Sequence, residues 1–118
     1  MDERFRDYTV YESDRVIEAL KKIDANRQGF VIVVDLEKTV LGVLTDGDLR
    51  RAFIRGCNKE AYVSDVYTKE AKTVFLSDGF ETVSRLFKNQ AIKFLPVVDD
   101  NNCLVNIITK NQMHTLLL

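Results

Sequence analysis

An internal repeat is the sequence feature that most constrains how this chain can fold. The sequence matches itself without a gap when it is shifted by 64 positions, which places Thr9 on Thr73. TVYESD then lies over TVFLSD, FVIVVD over FLPVVD, and VLGVLTDGDL over LVNIITKNQM. Identical residues are few, but apolar character is kept along each strand-like run. The repeat predicts two copies of one supersecondary unit.

Each copy begins with an extended piece and an amphipathic helix. The pairs Ser13–Asp14 and Ser77–Asp78 follow the extended pieces, and serine is predicted to cap the helix that comes next. The apolar residues of that helix recur at helical spacing. They are Val16, Ala19, Leu20 and Ile23 in the first copy, and Phe80, Val83 and Phe87 in the second.

Two β-branched-rich runs follow in each copy, joined by the polar turns DLEKT and DDNNC. The runs are Phe30–Val34 and Val40–Leu44, then Phe94–Val98 and Leu104–Ile108. A second helix is predicted over Asp46–Arg55, stopped by Gly56, and over Lys110–Leu117. Because proline cannot donate to a strand ladder, Pro96 indicates an edge or unpaired position.

The predicted fold class is therefore α/β (α+β), with two β-α-β-β-α repeats. Since about fifty residues cannot bury both faces of a sheet alone, the repeats are expected to pack with pseudo-twofold symmetry. Repeat 1 is assigned to residues 1–58, a connector to 59–68, and repeat 2 to 69–118. The stretch Cys57–Lys72 contains no Gly or Pro, so the connector is expected to be ordered.

Composition excludes several classes of function. The 17 basic and 18 acidic residues give a net charge of −1, so no nucleic-acid partner is expected. The longest apolar internal run, Phe30–Val34, is far short of the roughly 20 residues of a membrane span. The charged start MDERFRDY is no signal peptide. Cys57 and Cys103 are therefore expected to be reduced thiols in a cytoplasmic protein.

The stretch GVLTDGDL places two carboxylates where a strand is predicted to meet a helix. Thr45 and Asp48 have the spacing of a capping box, in which each side chain bonds the backbone N–H of the other residue. Thr109 and Gln112 repeat that spacing in the second copy. Helix initiation therefore explains what the copies share.

Two other interpretations of the stretch remain open. Gly42 and Gly47 would let another group approach the backbone, the helix start attracts anions, and Asp48 could accept two ribose hydroxyls. Asp46 and Asp48 could instead hold Mg²⁺ or Ca²⁺. The ligand spacing of a calcium loop is missing, so no metal site is predicted.

The repeat and GVLTDGDL together resemble a tandem pair of CBS domains, a Bateman module, from about Thr9 to Leu117. The resemblance implies a regulatory domain that forms homodimers, binds AMP, ADP, ATP or S-adenosylmethionine in the cleft between repeats, and needs no obligatory cofactor. EALKKID, FVIVVD and LGVLTDGDLRRAF are similar to the N-terminal pair of bacterial sugar-phosphate nucleotidyltransferases, such as mannose-1-phosphate guanylyltransferase-like proteins. TDGDLRR is also similar to the C-terminal pair of arabinose-5-phosphate isomerases. The chain would then be one part of a longer enzyme.

The resemblance also implies residue roles. Asp48 would hold the ribose hydroxyls, and Thr45 the ribose or the phosphate. Arg51, or else Arg50, would reach the phosphate, although such arginines are also typical of a solvated helix face. The residues implied at the base pocket are Thr9, Val10, Tyr11, Phe30, Val31, Ile32 and Pro96.

The second copy departs from this pattern. Asn106 stands in the place of Gly42, and Gln112 in the place of Asp48. Thr109 and Lys110 could still meet a phosphate, but Lys110 is better explained as an exposed lysine in the first turn of the helix. This second site is expected to be degenerate or to take a different ligand.

The sequence leaves three classes of function to compare. The first is a ligand-sensing regulatory module, and the second is a ligand-free dimerisation module that uses apolar residues such as Leu49, Phe53, Ile54 and Leu116–Leu118. An enzyme is the weakest, since the sequence offers no nucleophile–base set, metal cluster or Walker-type loop. His114 is expected to be structural.

Overall fold

A computed structural model of the chain describes residues 3–89 and 92–112. Contacts divide the chain into two compact units, Met1–Ala71 and Lys72–Leu118. The pseudo-twofold packing of the repeats stays a prediction. The contact boundary falls a few residues after the predicted end of the connector.

Unit 1 contains the first repeat and the connector. Its elements are a 3-10 helix (Glu3–Tyr8), β1 (Thr9–Val10), α1 (Val16–Asn26), β2 (Phe30–Val34), β3 (Val40–Thr45), α2 (Asp46–Ile54) and a 3-10 turn (Val63–Asp65). As predicted, α2 ends just before Gly56, which has a φ of 102° and is thus in the left-handed conformation that glycine adopts at helix ends.

Unit 2 repeats most of this order. Its elements are β4 (Val74–Phe75), α3 (Phe80–Asn89), β5 (Phe94–Val98) and β6 (Leu104–Thr109). Residues 110–112 are helical, and the rest of the helix predicted over Lys110–Leu117 lies outside the described residues. The predicted order of strands and helices is confirmed as far as the structure describes it.

Each unit contains a three-stranded sheet, in the order β1-β2-β3 and β4-β5-β6. The first pair of strands is parallel and the second antiparallel in both sheets. Val33 pairs with Gly42, and Val97 pairs with Asn106, with the same break in register one residue later. The repeat is therefore confirmed at the level of single backbone pairs.

The two hairpin turns are built from the same contacts. Asp35 Oδ1 accepts hydrogen bonds from the backbone N–H groups of Glu37 and Thr39, both at 2.9 Å. Asp99 Oδ1 accepts the two corresponding bonds at 2.9 and 3.0 Å. A carboxylate that organises its own turn accounts for the aspartate after each apolar run.

The apolar sides of the first helices form the cores with the sheets. Val16, Ala19 and Ile23 are buried in α1, as predicted. Val83 and Phe87 are buried in α3, but Phe80 is 52% exposed, so its predicted core position is wrong. Val16, which is likewise the first residue of its helix, is buried in a core that also contains Val63 and Val66 of the connector. The unit 1 core contains Val10, Val16, Ala19, Ile23, Val31, Val33, Leu44, Leu49, Ala52, Val63 and Val66.

The serine caps predicted for the first helices are not found. Arg15 occupies the N-cap position of α1, and no side chain caps that helix. Asp14 Oδ2 instead accepts from the Tyr11 backbone N–H at 2.9 Å, and Asp78 Oδ2 accepts from the Phe75 N–H at 2.8 Å. Asp14 and Asp78 therefore stabilise the turn between strand and helix.

The connector supplies the missing cap of α1. The backbone N–H groups of Val16 and Ile17 donate to the carbonyl oxygens of Ala61 at 2.8 Å and Lys59 at 3.0 Å. These are first-turn donors that have no partner inside the helix. The prediction of an ordered connector is confirmed, and the connector packs as part of unit 1.

Pro96 lies in the central strand of its sheet, but on the side of β4 it is unpaired, which is one of the two positions that the sequence predicts. It is less than 2% exposed and stands opposite Ile107 of β6. Pairing with β4 begins only at Val97. Of the described strands, only β6 therefore adjoins Pro96, and this is how a central strand accommodates a residue without an N–H.

Three further findings concern a membrane span, a metal site and the cysteines. Among residues 3–89 and 92–112, no helix has both the length and the apolar character of a membrane span. Within the same ranges, no three His, Cys, Asp or Glu side chains are placed to bind a metal ion. Cys57 is half-buried and has a free thiol.

Candidate functional site

The corner between β3 and α2 contains a complete capping box. Thr45 Oγ1 accepts a hydrogen bond from the Asp48 backbone N–H at 3.2 Å. Asp48 Oδ2 accepts one from the Thr45 backbone N–H at 3.0 Å. The spacing of threonine and aspartate therefore starts the helix, as the sequence predicts.

The second oxygen of Asp48 gathers a polar cluster at this corner. Its Oδ1 accepts from Arg51 Nη2 at 2.9 Å and from Thr68 Oγ1 at 3.1 Å. The side chain of Asp48 is only 11% exposed, whereas that of Arg51 is 56% exposed. We call Thr45, Asp48, Arg51 and Thr68 the corner cluster.

Gly42 lets the connector approach the strand. A Cβ added at this position would collide with the carbonyl oxygen of Thr68 and come within 2.8 Å of the Tyr67 ring. Thr68 lies there because it exchanges two backbone hydrogen bonds with Val43, both 2.9 Å long. The close approach inferred from this glycine is thus made by the chain itself.

Gly47 has a second close neighbour of the same kind. A Cβ here would lie 3.2 Å from Nη1 and 3.4 Å from Nη2 of Arg51. A side chain would therefore crowd the guanidinium where it lies over the first turn of α2. Both glycines leave room for groups that build the corner cluster.

Tyr67 fixes the connector from the other side. Its hydroxyl donates to Glu12 Oε2 at 2.8 Å, and its ring packs against the unit 1 core. Burial, together with the hydrogen bond and negative charge of Glu12, raises the pKa of Tyr67 to about 12. Tyr67 therefore packs against the core and also anchors the segment that carries Thr68.

The residues predicted at the base pocket do not all face one way. Val10 and Val31 belong to the unit 1 core and are 1% and 0% exposed. Phe30 is on the other face of β2, because side chains alternate along a strand, and its ring centroid lies 5.7 Å from that of Tyr8. Tyr11 is half-buried.

Repeat 2 contains the capping box, but an uncharged glutamine stands in the place of Asp48. Gln112 Oε1 accepts from the Thr109 backbone N–H at 2.8 Å, and Thr109 Oγ1 accepts from the Gln112 N–H at 3.3 Å. Asn106 is exposed, and its Oδ1 accepts from the Ile107 N–H at 2.8 Å. Lys110 is exposed as well, which fits the simpler of its two interpretations.

Thr68 is the member of the corner cluster that the sequence did not indicate. It is distant in sequence from Asp48, and no local pattern marks it. The contact of Arg51 with Asp48 could have been anticipated, because residues three apart are neighbours on a helix. His114 and Leu116–Leu118 lie outside the described residues.

Comparison with known proteins identifies the family. The sequence model of the CBS domain matches this chain twice, at residues 5–55 and 63–117. The chain therefore belongs to the CBS domain family and consists of two consecutive CBS domains.

Relatives and solved structures agree with this assignment. The chain is 36% identical over 85 residues to a homoserine O-acetyltransferase of Methanobrevibacter ruminantium, covering 72% of this chain and 17% of that protein. It is 31% identical over 109 residues to an arabinose 5-phosphate isomerase of Francisella tularensis, covering 92% of this chain and 32% of that protein. The chain thus spans less than a third of either relative.

A solved structure supports the same fold. The CBS domain pair of protein MJ0100, in complex with 5′-methylthioadenosine and S-adenosyl-L-methionine, superposes with a TM-score of 0.80. The sequences are 21% identical, and the match covers 94% of this chain and 91% of the other. The predicted α+β CBS-pair fold is confirmed.

Proposed function

We propose that this CBS pair is a regulatory module that binds an adenosine-containing nucleotide at the corner cluster of repeat 1 and thereby controls an attached or partner enzyme. The observation that carries the proposal is the mostly buried carboxylate of Asp48 beside a helix start. The CBS pair of MJ0100, which binds two adenosine derivatives, supports the choice of ligand.

The chemistry of the corner cluster suits such a ligand. An ionised carboxylate only accepts hydrogen bonds, and the two hydroxyls of a ribose can donate to it. The first turn of α2 presents backbone N–H groups and the positive end of the helix dipole, both of which attract phosphate. Arg51 adds a guanidinium, whose planar fork matches a phosphate.

Thermal unfolding with AMP, ADP, ATP and S-adenosylmethionine tests the proposal. A ligand at 100 times its Kd should stabilise the chain by about 2.7 kcal/mol. Asp48→Ala should abolish this increase. Gln112→Ala is the matched control, because it removes the equivalent capping contact from repeat 2 and leaves the corner cluster intact.

The pair of variants separates capping from binding. Both substitutions should lower the stability of the unliganded chain, since each removes half of a capping box. Only Asp48→Ala should lose the response to ligand. The assignment of the site is wrong if both variants respond to nucleotide as the unaltered chain does, and the sensing function fails if no nucleotide stabilises any of the three.

The identity of the controlled enzyme is a more specific proposal. The motifs suggest a sugar-phosphate nucleotidyltransferase, whereas the isomerase relative supports an arabinose-5-phosphate isomerase. The coding sequence that flanks this chain distinguishes the two, because a nucleotidyltransferase domain beside it would favour the first and a sugar isomerase domain the second.

A ligand-free dimerisation module is the second candidate. Phe53 and Ile54 of α2 are 41% and 78% exposed, and a second copy could bury them. Light scattering should then give twice the monomer mass, falling to the monomer value for Ile54→Asp. Dimers that form without any response to nucleotide would favour this function, and a monomeric chain would exclude it.

A further inference from the structure

Three large apolar side chains are exposed close together along the chain, on the turn between β4 and α3. Phe75, Leu76 and Phe80 are 52%, 66% and 52% exposed. The turn is tight, because the Asp78 N–H donates to the Phe75 carbonyl at 2.9 Å. We call residues 75–81 the open turn. Clustered apolar side chains on a surface mark a site of contact with another segment or molecule.

The corresponding turn of repeat 1 has the same geometry. The Asp14 N–H donates to the Tyr11 carbonyl at 3.0 Å, and Asp14 Oδ2 accepts from the Tyr11 N–H, as the counterparts do in repeat 2. Val16, the counterpart of Phe80, is nevertheless only 1% exposed. The connector makes this difference, because its Val63 packs in the same core as Val16. The turn is thus covered in repeat 1 and bare in repeat 2.

The connector holds the turn of repeat 1 through its backbone. The N–H groups of Val63 and Ser64 donate to the carbonyl oxygens of Asp14 at 2.8 Å and Glu12 at 3.1 Å. The connector also supplies the two carbonyl oxygens that cap α1. The turn therefore offers two acceptors and two donors to a bound segment. In such a mode, main-chain hydrogen bonds supply affinity and side chains supply selectivity.

The open turn presents the same four backbone groups. They are the carbonyl oxygens of Leu76 and Asp78 and the N–H groups of Phe80 and Glu81. Among residues 3–89 and 92–112, none of the four has a hydrogen-bond partner. Successive backbone groups without partners are a template for pairing with another segment. The open turn combines this template with an apolar surface.

We infer that the open turn of repeat 2 is the docking site of an extended apolar peptide segment of the controlled enzyme, bound as the connector is bound to repeat 1. The inference rests on the proposed function only for the source of the segment. The chain aligns with 32% of the isomerase relative, so the larger part of that protein lies outside the pair and is available to supply such a segment.

Two replacements define the side chains that the open turn accepts. Glu12, which accepts from the Tyr67 hydroxyl, is replaced by Leu76. Arg15, whose guanidinium lies 4.2 Å from the ring centroid of a second connector tyrosine, is replaced by Gly79. Since neither charge is present in repeat 2, the open turn favours aliphatic side chains over tyrosines.

An NMR titration of the full, isotope-labelled chain tests the inference. The probe is a peptide with the connector sequence, residues 59–68, that carries Tyr67→Leu and has both ends blocked. The amide signals of Phe80 and Glu81 should shift most, because these N–H groups gain hydrogen bonds. The signals of Val16 and Ile17 should not move, because the connector in the same chain outcompetes a free peptide there.

A control peptide and two chain variants sharpen the test. The control peptide carries Val63→Asp and Val66→Asp in addition and should cause no shift, because an apolar site does not stabilise a buried carboxylate. Phe80→Ser should weaken binding of the probe about tenfold or more. Phe53→Ser is the matched control, since Phe53 is an exposed phenylalanine of unit 1, and it should leave the affinity unchanged.

Three results overturn the inference. They are the absence of shifts at Phe80 and Glu81, equal binding of the two peptides, and unchanged binding by Phe80→Ser. If circular dichroism shows that Phe80→Ser does not fold, Leu76→Ser replaces it with the same expectation. None of these results affects the nucleotide site, which is tested without peptide. A chain that binds the probe but no nucleotide loses the sensing function and keeps the docking site.

Discussion

The two repeats share one backbone fold but differ at the corner where the last strand meets the second helix. Their sheets share strand order, register and the break before the last pair. Both second helices begin with a reciprocal capping box, Thr45 with Asp48 and Thr109 with Gln112. In repeat 1 the capping residue Asp48 carries a charge and contacts an arginine and the connector, whereas Gln112 of repeat 2 is uncharged. The shared features are those that the fold needs, and the unshared ones mark the candidate site.

Gly42 and Asn106 show how the difference arises. They occupy the same register position, opposite Val33 and Val97. In repeat 1 the next strand residue, Val43, pairs with Thr68 of the connector. In repeat 2 the corresponding N–H, that of Ile107, bonds to the side chain of Asn106. Glycine is therefore required only where the connector covers the strand.

The largest effect is expected from Gly42→Asn, which gives repeat 1 the residue of repeat 2. The new side chain would collide with Thr68 and Tyr67, so the connector must move. Overpacking of this kind costs about 1–3 kcal/mol, and contact with a backbone atom places this change at the upper end. Urea unfolding measures the loss, and hydrogen exchange should show that the Thr68 amide has lost its protection.

The reciprocal variant Asn106→Gly is the control. It removes one exposed hydrogen bond and adds backbone freedom, so it should destabilise the chain by no more than about 1 kcal/mol. If Gly42→Asn is as mild as Asn106→Gly, the connector does not need the glycine and the difference between the corners loses its explanation.

The capping box should behave alike in the two repeats. Thr45→Ala and Thr109→Ala each remove the acceptor for an N–H of the first helical turn, at a cost of about 1 kcal/mol. Urea unfolding of the two variants, without ligand, should therefore give similar losses. If Thr109→Ala does not change the stability, the second helix of repeat 2 does not depend on its cap. The capping box would then have different roles in the two repeats.

The smallest effect is expected at Tyr67, which lies in the connector and packs against the core of unit 1. Its pKa is raised from 10.0 to about 12, so the folded chain favours the protonated phenol. The associated stability is fully present below pH 10 and is lost as the pH rises toward 12. Absorbance titration should show a tyrosine that ionises near pH 12.

Tyr67→Phe should remove this late titration, whereas Tyr62→Phe, at an exposed position, should leave it unchanged. At neutral pH the loss of the contact with Glu12 should cost about 0.5–1 kcal/mol. If all tyrosines ionise near pH 10, the connector is not held by this hydrogen bond.

Local patterns in the sequence predicted the structural features that depend on residues close together along the chain. The strands followed from β-branched runs, and the box at Thr45 followed from its spacing with Asp48. The prediction that serine caps the first helices was wrong. The aspartate beside Ser13 bonds within the turn, and the first N–H of α1, that of Val16, bonds to the distant carbonyl of Ala61.

Features that depend on distant segments could not be predicted. Thr68 reaches Asp48 only because the connector pairs with β3, and nothing in the sequence near either residue indicates that pairing. Gly42 was recognised as a place of close approach, but the approaching group was not identified. Whether the glycines, Asp48, Arg51 and the other predicted residues bind a ligand stays a prediction.

The connector also decides where repeat 1 can be cut from the rest of the chain. A fragment ending at residue 58, where the sequence repeat ends, would lose the carbonyls of Lys59 and Ala61 that close α1, and the strand pairing of Thr68. Extending the fragment to Ala71 retains all three. The compact unit is thus longer than the predicted repeat, and a domain-swap experiment that exchanged residues 1–58 alone would leave α1 without its cap.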